Sequence, residues 1–195
     1  MHIHTFARFS ILSAIALAGA GVANADVFLK IQGTPGDALQ RGFEGQIQVN
    51  GASMNISNFA MPDPEGIADQ VRSTSVGPIY ISKTPDRSSP KLMMSAVEGQ
   101  PLGTIEITFT SAPRPGMPQT VESRWIIEGA EVRSFNVAPD FQNGNTPSES
   151  IEVSFSSMKY QYYAKDAKGQ RTGAMEEVSW RVPDDQLFPL DAGCR

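Results

Sequence analysis

Ser88 and Lys91, in the run Ser88-Ser89-Pro90-Lys91, have the spacing at which serine hydrolases of the penicillin-binding type set a nucleophile and its lysine at a helix start. Neither companion signature, Ser-Asp-Asn or Lys-Thr-Gly, occurs in the chain, and Ser89 and Pro90 already suit the capping and first-turn positions of a helix. Ser156 and Lys159 repeat the spacing on an expected strand, where residues three apart point to opposite faces. Acidic pairs are plentiful: Asp37 with Glu44, Asp63 with Glu65, Glu176 with Glu177. Glycoside hydrolysis needs two carboxyls at a set distance across a cleft, and solvated surface charge is the simpler account. Asp140, Asn143 and Asn145 around Gly144 offer oxygen donors, but the bidentate glutamate that closes an EF-hand loop is missing, and turn chemistry explains them. Trp125, Tyr160, Tyr162, Tyr163 and Trp180 could stack on sugars or peptides, although aromatic residues serve cores and subunit contacts more often.

The chemistry narrows further at the N-terminus. Arg8 with His2 and His4, the uncharged apolar run Phe9 to Ala20, and the small-residue site Ala23-Asn24-Ala25 have the order of a cleavable export leader. The apolar run is short of the roughly 20 residues that span a bilayer, so no membrane insertion is expected. A start near Val27 is the alternative, and it needs a non-Met initiation codon because the next methionine is Met54. The expected mature chain, 26–195, contains neither histidine, which removes imidazole bases, His-assisted nucleophiles and His metal ligands. No catalytic, cofactor or metal residues are assigned, and the protein is expected not to be an enzyme. Cys194 is the sole cysteine, so no intrachain disulfide can form and core packing must hold the fold.

Beyond the leader, 15 basic side chains face 21 acidic ones, a net charge of −6. With no basic run, nucleic acid is not an expected partner. The expected organisation is a leader at 1–25, one domain at 26–182 and a short tail at 183–195.

Period-two alternation positions everything else. Ile105, Ile107 and Phe109 alternate with Thr104, Glu106, Thr108 and Thr110 in a half-buried strand. Similar strands are expected at Val27–Ile31, Gly45–Ser57, Pro78–Lys83, Val121–Glu128, Glu131–Val137, Ser150–Ala164 and Glu176–Val182, punctuated by Pro and Gly clusters. Ile151, Val153 and Phe155 share one face while Met158, Tyr160 and Tyr162 fall on the other, which predicts an inserted residue, a β-bulge, near Ser156 and Ser157. One helix is expected from Pro90 to about Glu98, capped by Ser89 and ended by Gly99, with an apolar stripe of Leu92, Met93, Ala96 and Val97 that must dock on a sheet or another subunit. Phe59 to Gly77 shows no period and reads as a long loop. The fold class read from these elements is all-β, a sandwich or barrel of short antiparallel strands with one helix.

Val27 to Asp37, VFLKIQGTPGD, and the helix start Ser89-Pro90-Lys91-Leu92-Met93 resemble the haemolysin-coregulated protein family, the ring-forming tube subunits of type VI secretion systems. The order of the later elements agrees, through the Trp125 strands to the run Ser150 to Tyr160, and the resemblance covers Asp26 to about Val182. It implies an all-β fold that is a small closed barrel of short antiparallel strands with one flanking α-helix, six copies closing head to tail into a ring, rings stacking into a tube, and partners among spike, sheath and small effector proteins. The implied subunit contacts are assigned to Phe59 and Met61 in the long segment and to Ser89, Pro90, Lys91 and Leu92 at the helix start. Pro62 and Pro64, the lack of a glycine-rich stretch after Trp125, and the leader depart from the family pattern. The leader leaves a second reading open, an exported monomeric barrel with another binding role in the periplasm or outside the cell.

Overall fold

The computed structural model describes residues 25–61, 71–112, 119–140, 146–166 and 169–182. In chain order these form β1 (Val27–Ile31), β2 (Ile47–Val49), β3 (Gly51–Met61), β4 (Val71–Lys83), α1 (Ser89–Glu98), β5 (Pro101–Thr110), β6 (Val121–Asp140), β7 (Thr146–Ser154), β8 (Ser157–Lys165) and β9 (Arg171–Arg181). All strand pairs are antiparallel, in the order β2-β1-β5-β6-β7-β4-β3, and β8 lies between β6 and β9.

The expected all-β fold with one helix holds, and among the described residues its ladder is not closed into a ring by hydrogen bonds. Its end strands, β2 and β3, are consecutive in sequence and meet at Asn50, so the chain joins the two ends where the ladder does not. At that joint the Asn50 N–H donates to Ser82 O at 2.7 Å. One expected strand, Gly45–Ser57, is therefore two: its first part pairs with β1 and its second with β4.

Inside the curl lies one apolar cluster, including Leu29, Ile47, Ile79, Ile81, Ile105, Ile107, Ile127, Ile151, Val153 and Met158. Full burial of each such side chain contributes about 1.5–3 kcal/mol, which is how a fold without a disulfide is held. The alternation read at Ile105 and Ile107 is real, since both are buried. β1 departs from alternation because it is covered on both faces. Phe28, on the side opposite Leu29, stacks on Phe43 from the following loop at 4.2 Å between ring centres.

That loop explains the opening Gly-Thr-Pro-Gly-Asp motif. Thr34 N–H donates to Ile31 O, Gly33 takes a left-handed φ of 73°, and Gly36 N–H donates to Gly45 O. A Cβ on Gly36 would stand 2.3 Å from Gln46 O, so no side chain fits there.

Three further expectations change. The described parts of Phe59 to Gly77 are not loop: they are the arms of a long hairpin, with Ile56 opposite Val76 and Ala60 opposite Arg72, and residues 62–70 lie outside the described residues. Many of its described side chains are exposed or half-exposed, which erases the polar-apolar alternation that marks a half-buried strand. The two strands expected over 121–137 are one, β6, and no residue is inserted at Ser156. Pairing keeps the same register on either side, Glu131 with Ser154 and Glu128 with Ser157. Both strands turn a corner together, β6 at Gly129 (φ 63°) and its partner at Phe155 and Ser156, and this corner changes which face of the strand is buried. Ser156 N–H and Oγ both donate to Glu128 O, and a Cβ on Gly129 would meet Ser156 Oγ at 2.3 Å.

Candidate assembly surfaces and a buried charge cluster

The helix start has a different role from the one its sequence suggests. Ser88, not Ser89, is the N-cap residue, and its hydroxyl donates to Asp86 Oδ1 instead of capping. Ser89 is the first helical residue, and its Oγ accepts from Lys83 Nζ at 2.9 Å and from Asp86 N–H at 3.0 Å while donating to Glu149 Oε2 at 2.9 Å. Lys83 also reaches Glu149 Oε2 at 2.7 Å and Asp86 Oδ1 at 2.9 Å. The ammonium thus donates two hydrogen bonds and sits between two carboxylates, on a side chain with no solvent exposure. The cluster ties the end of β4, the start of α1 and β7 into one unit, and its serine hydroxyl is too committed to attack a substrate. Sequence reading missed it because Lys83 and Glu149 stand 66 positions apart with no motif linking them.

The opening motif grips the same helix. Asp37 accepts from the Arg87 backbone N–H at 3.2 Å and from its Nε, while Lys91 Nζ donates to Gly33 O at 2.7 Å. The hydrogen bond from the Arg87 side chain, followed by that from its backbone, holds the Asp37 carboxyl below its ordinary pKa. The two sequence signals of the family resemblance are thus two sides of one contact.

Other candidate chemistry does not converge. Ser88 and Lys91 have the separate partners just given, as do Ser156 with Glu128 O and Lys159 with Glu177. Glu177 is held below its ordinary pKa first by the Gln161 amide. Of the aromatic set, Trp125 and Tyr160 are cross-strand partners, Tyr162 and Trp180 share their face of β8 and β9, and Trp125 also leans on Phe109, whereas Tyr163 is on the opposite face under the Arg171 guanidinium; of these only Tyr162 is exposed. Asp63, Glu65, residues 141–145, Cys194 and the leader with both histidines lie outside the described residues. Among the described residues, no group of three or more His, Cys, Asp or Glu side chains is placed to hold a metal ion, and no helix is long and apolar enough to cross a membrane.

Of the residues assigned to subunit contacts, Phe59 is 56% exposed on the hairpin, Pro90 and Lys91 are exposed, Ser89 is half-buried in the charge cluster, and Leu92 is 1% exposed in the core. The backbone of Met61 ends β3, and its side chain lies outside the described residues. The structure splits the helix's apolar stripe: Leu92 turns into the core, and Met93 and Val97 join Met94 in an outer face of α1, with Val97 74% exposed. The hairpin adds Ile56, and β9 adds Met175 and Val178 on a strand whose second edge is unpaired among the described residues.

Residues 28–162 match the family described as Type VI secretion system effector, Hcp. The chain belongs to the Hcp family. No curated protein sequence matches it. Among solved structures, it is similar to one described as a type six secretion system protein, at 18% identity with a TM-score of 0.70, covering 82% of this chain and 96% of the other. Hcp1 from Salmonella typhimurium aligns at 19% identity and a TM-score of 0.62, covering 80% and 94%. Secreted protein Hcp3 from Pseudomonas aeruginosa aligns at 18% identity and 0.57, covering 82% and 100%. At these identities the structures speak for the fold, and the family match carries the assignment. Hcp proteins self-assemble in the type VI secretion tube and are secreted, so this chain is a structural component of that system. The Hcp match ends at Tyr162 and leaves β9 beyond it.

Proposed function

We propose that this Hcp-family chain builds a homohexameric ring by head-to-tail contact, that rings stack, and that its work is assembly and not catalysis. The observation that carries the reading is the exposed apolar face of α1, Met93, Met94 and Val97, on a helix fixed to the sheet by the Lys83 cluster. A rigid apolar face on one flank suits a heterologous contact, in which one copy's flank meets a different surface of the next and the rotation closes the ring. Phe59 and Met61 on the hairpin, with Pro90 and Lys91 beside the helix face, are the proposed contact residues around it; Ser89 and Leu92 support that flank from within. Spike, sheath and small effector proteins are the proposed further partners.

Export is the second part of the proposal. Asp26, first residue of the expected mature chain, is seated by its own set of partners. Its backbone N–H donates to Thr110 Oγ1 at 3.1 Å, and its carboxylate accepts from the Gln40, Gln48 and Gln119 amides. These contacts favour a chain that keeps the fold when it begins at Asp26, with a periplasmic or secreted destination.

The test is the native mass of the 26–195 fragment at micromolar concentration. A sixfold mass is the expected result. A monomer overturns the ring and leaves an exported barrel that binds something else. Separately, the N-terminal residue of protein recovered from its host should be Asp26, and an intact leader there overturns the export reading.

A further inference from the structure

We infer that the outer face of β4, β6 and β7 is a binding site for a neutral saccharide. Pairing places two rows side by side on it. Tyr80, Glu152 and Ser134 lie in register across the three strands, and Ser82, Ser150 and Asn136 form the next row. The alternate residues Ile79, Ile81, Ile151 and Val153 are buried in the core, so both rows point outward. Serines are short and Tyr80 is tall, which leaves a depression of about 430 Å³ beside an aromatic ring that is 53% exposed. That volume is within the roughly 300–1,000 Å³ of small-molecule sites.

The chemistry of the depression selects the occupant. Among the described residues, none of these six side chains makes a side-chain hydrogen bond or ion pair, whereas exposed carboxylates elsewhere, such as Glu106, Glu122 and Glu177, are engaged. Three hydroxyls, one amide and one carboxylate are therefore free to give and accept hydrogen bonds around one ring face. No lysine or arginine lines the depression, so it offers nothing to phosphate or to an anionic lipid surface. Nor can it capture a peptide through its backbone. Residues 79–82 of β4 are paired on both edges, by β3 and β7, and residues 149–153 of β7 by β4 and β6, so no edge is open there for strand addition. Hydroxyls, an amide and a carboxylate set around one aromatic ring suit a ligand that has many hydroxyls and an apolar ring face and carries no negative charge, and a pyranoside has that chemistry.

The experiment is saturation-transfer NMR on the full chain with a β-1,4-linked N-acetylglucosamine tetramer, and with tetra-alanine as comparison. Transfer to the saccharide and none to the peptide is expected. Tyr80→Ala should weaken binding about tenfold, the size of a lost aromatic contact, while Tyr80→Phe keeps it within about twofold. Glu152→Gln should weaken it several-fold by removing charge-assisted acceptance, and Tyr162→Ala, an exposed tyrosine on another strand, should leave it unchanged. Equal thermal midpoints across the variants exclude misfolding as the cause. No transfer to the saccharide, equal transfer in Tyr80→Ala, or transfer to the peptide alone overturns the inference. Since the readout is on the saccharide and not on molecular mass, failure here and failure of the ring are separate results.

Discussion

Replacing Lys83 by methionine isolates the buried charge cluster from everything else in the fold. Methionine keeps most of the stem volume, so the packing loss is small, and the change is electrostatic. Glu149, almost as buried as Lys83, loses its cation and keeps only the Ser89 hydroxyl, while Asp86 keeps the Ser88 N–H and hydroxyl. Breaking a buried pair by removing one partner costs roughly 3–5 kcal/mol, because the remaining charge is left uncompensated. For a domain of this length each kcal/mol moves the thermal midpoint by about 2–4 °C, so a fall of roughly 6–20 °C is expected by calorimetry at fixed protein concentration. The double variant Lys83→Met with Glu149→Leu removes both charges and should recover much of the loss, since apolar replacement of a buried pair is often neutral or stabilising. A single variant within about 1 kcal/mol of the parent, or a double variant no better than the sum of the singles, would refute the claim that these charges depend on each other.

Gly36→Ala forces a Cβ onto the Gln46 carbonyl, a backbone atom that cannot swing away, and should cost at least about 1–3 kcal/mol in a urea unfolding series. Val97→Ser at the exposed helix face should change stability by no more than about 0.5 kcal/mol and yet shift the native mass towards monomer; an unchanged mass removes α1 from the interface. Asp37 is held below its ordinary pKa by Arg87, so its contribution is present above the unfolded-state value and is lost as pH falls through the lowered one. In Arg87→Gln, an NMR titration should find the Asp37 carboxyl moved back up, and an unmoved midpoint would assign the shift elsewhere.

Much of the fold was legible because burial imposes period two: Ile105 and Ile107 face inward as their spacing demands, and Gly99 ends the helix in the left-handed conformation its identity suggests. The hairpin through Phe59 and Val76 was not legible, since with many of its side chains outside the core nothing in its sequence records a partner. The corner at Gly129 was misread for a geometric reason. A parity change along one strand looks the same in sequence whether a residue is inserted or two paired strands bend together, and only the register separates the cases. On α1 the sequence put Leu92, Met93, Ala96 and Val97 in one apolar stripe, but a short helix does not reveal which of its apolar residues meet its own sheet; the structure buries Leu92 there and leaves Met93, Met94 and Val97 outside. Lys83 with Glu149 was beyond reach, since a pairing across 66 residues exists only once the sheet is ordered.

Asn50, where the strand leaves one neighbour for another, sets the timetable of folding. The β3–β4 and β6–β7 hairpins can form from nearby residues, but Val27 must find Phe109 before β1 joins them. With both surfaces in place, the Asn50 joint connects them. Such non-local closure carries its entropy cost before any packing repays it, and it belongs with millisecond-to-second folding. During that interval the unpaired rims are open to neighbouring copies. For a chain whose relatives assemble by design, the interval before closure is when productive and unproductive association compete.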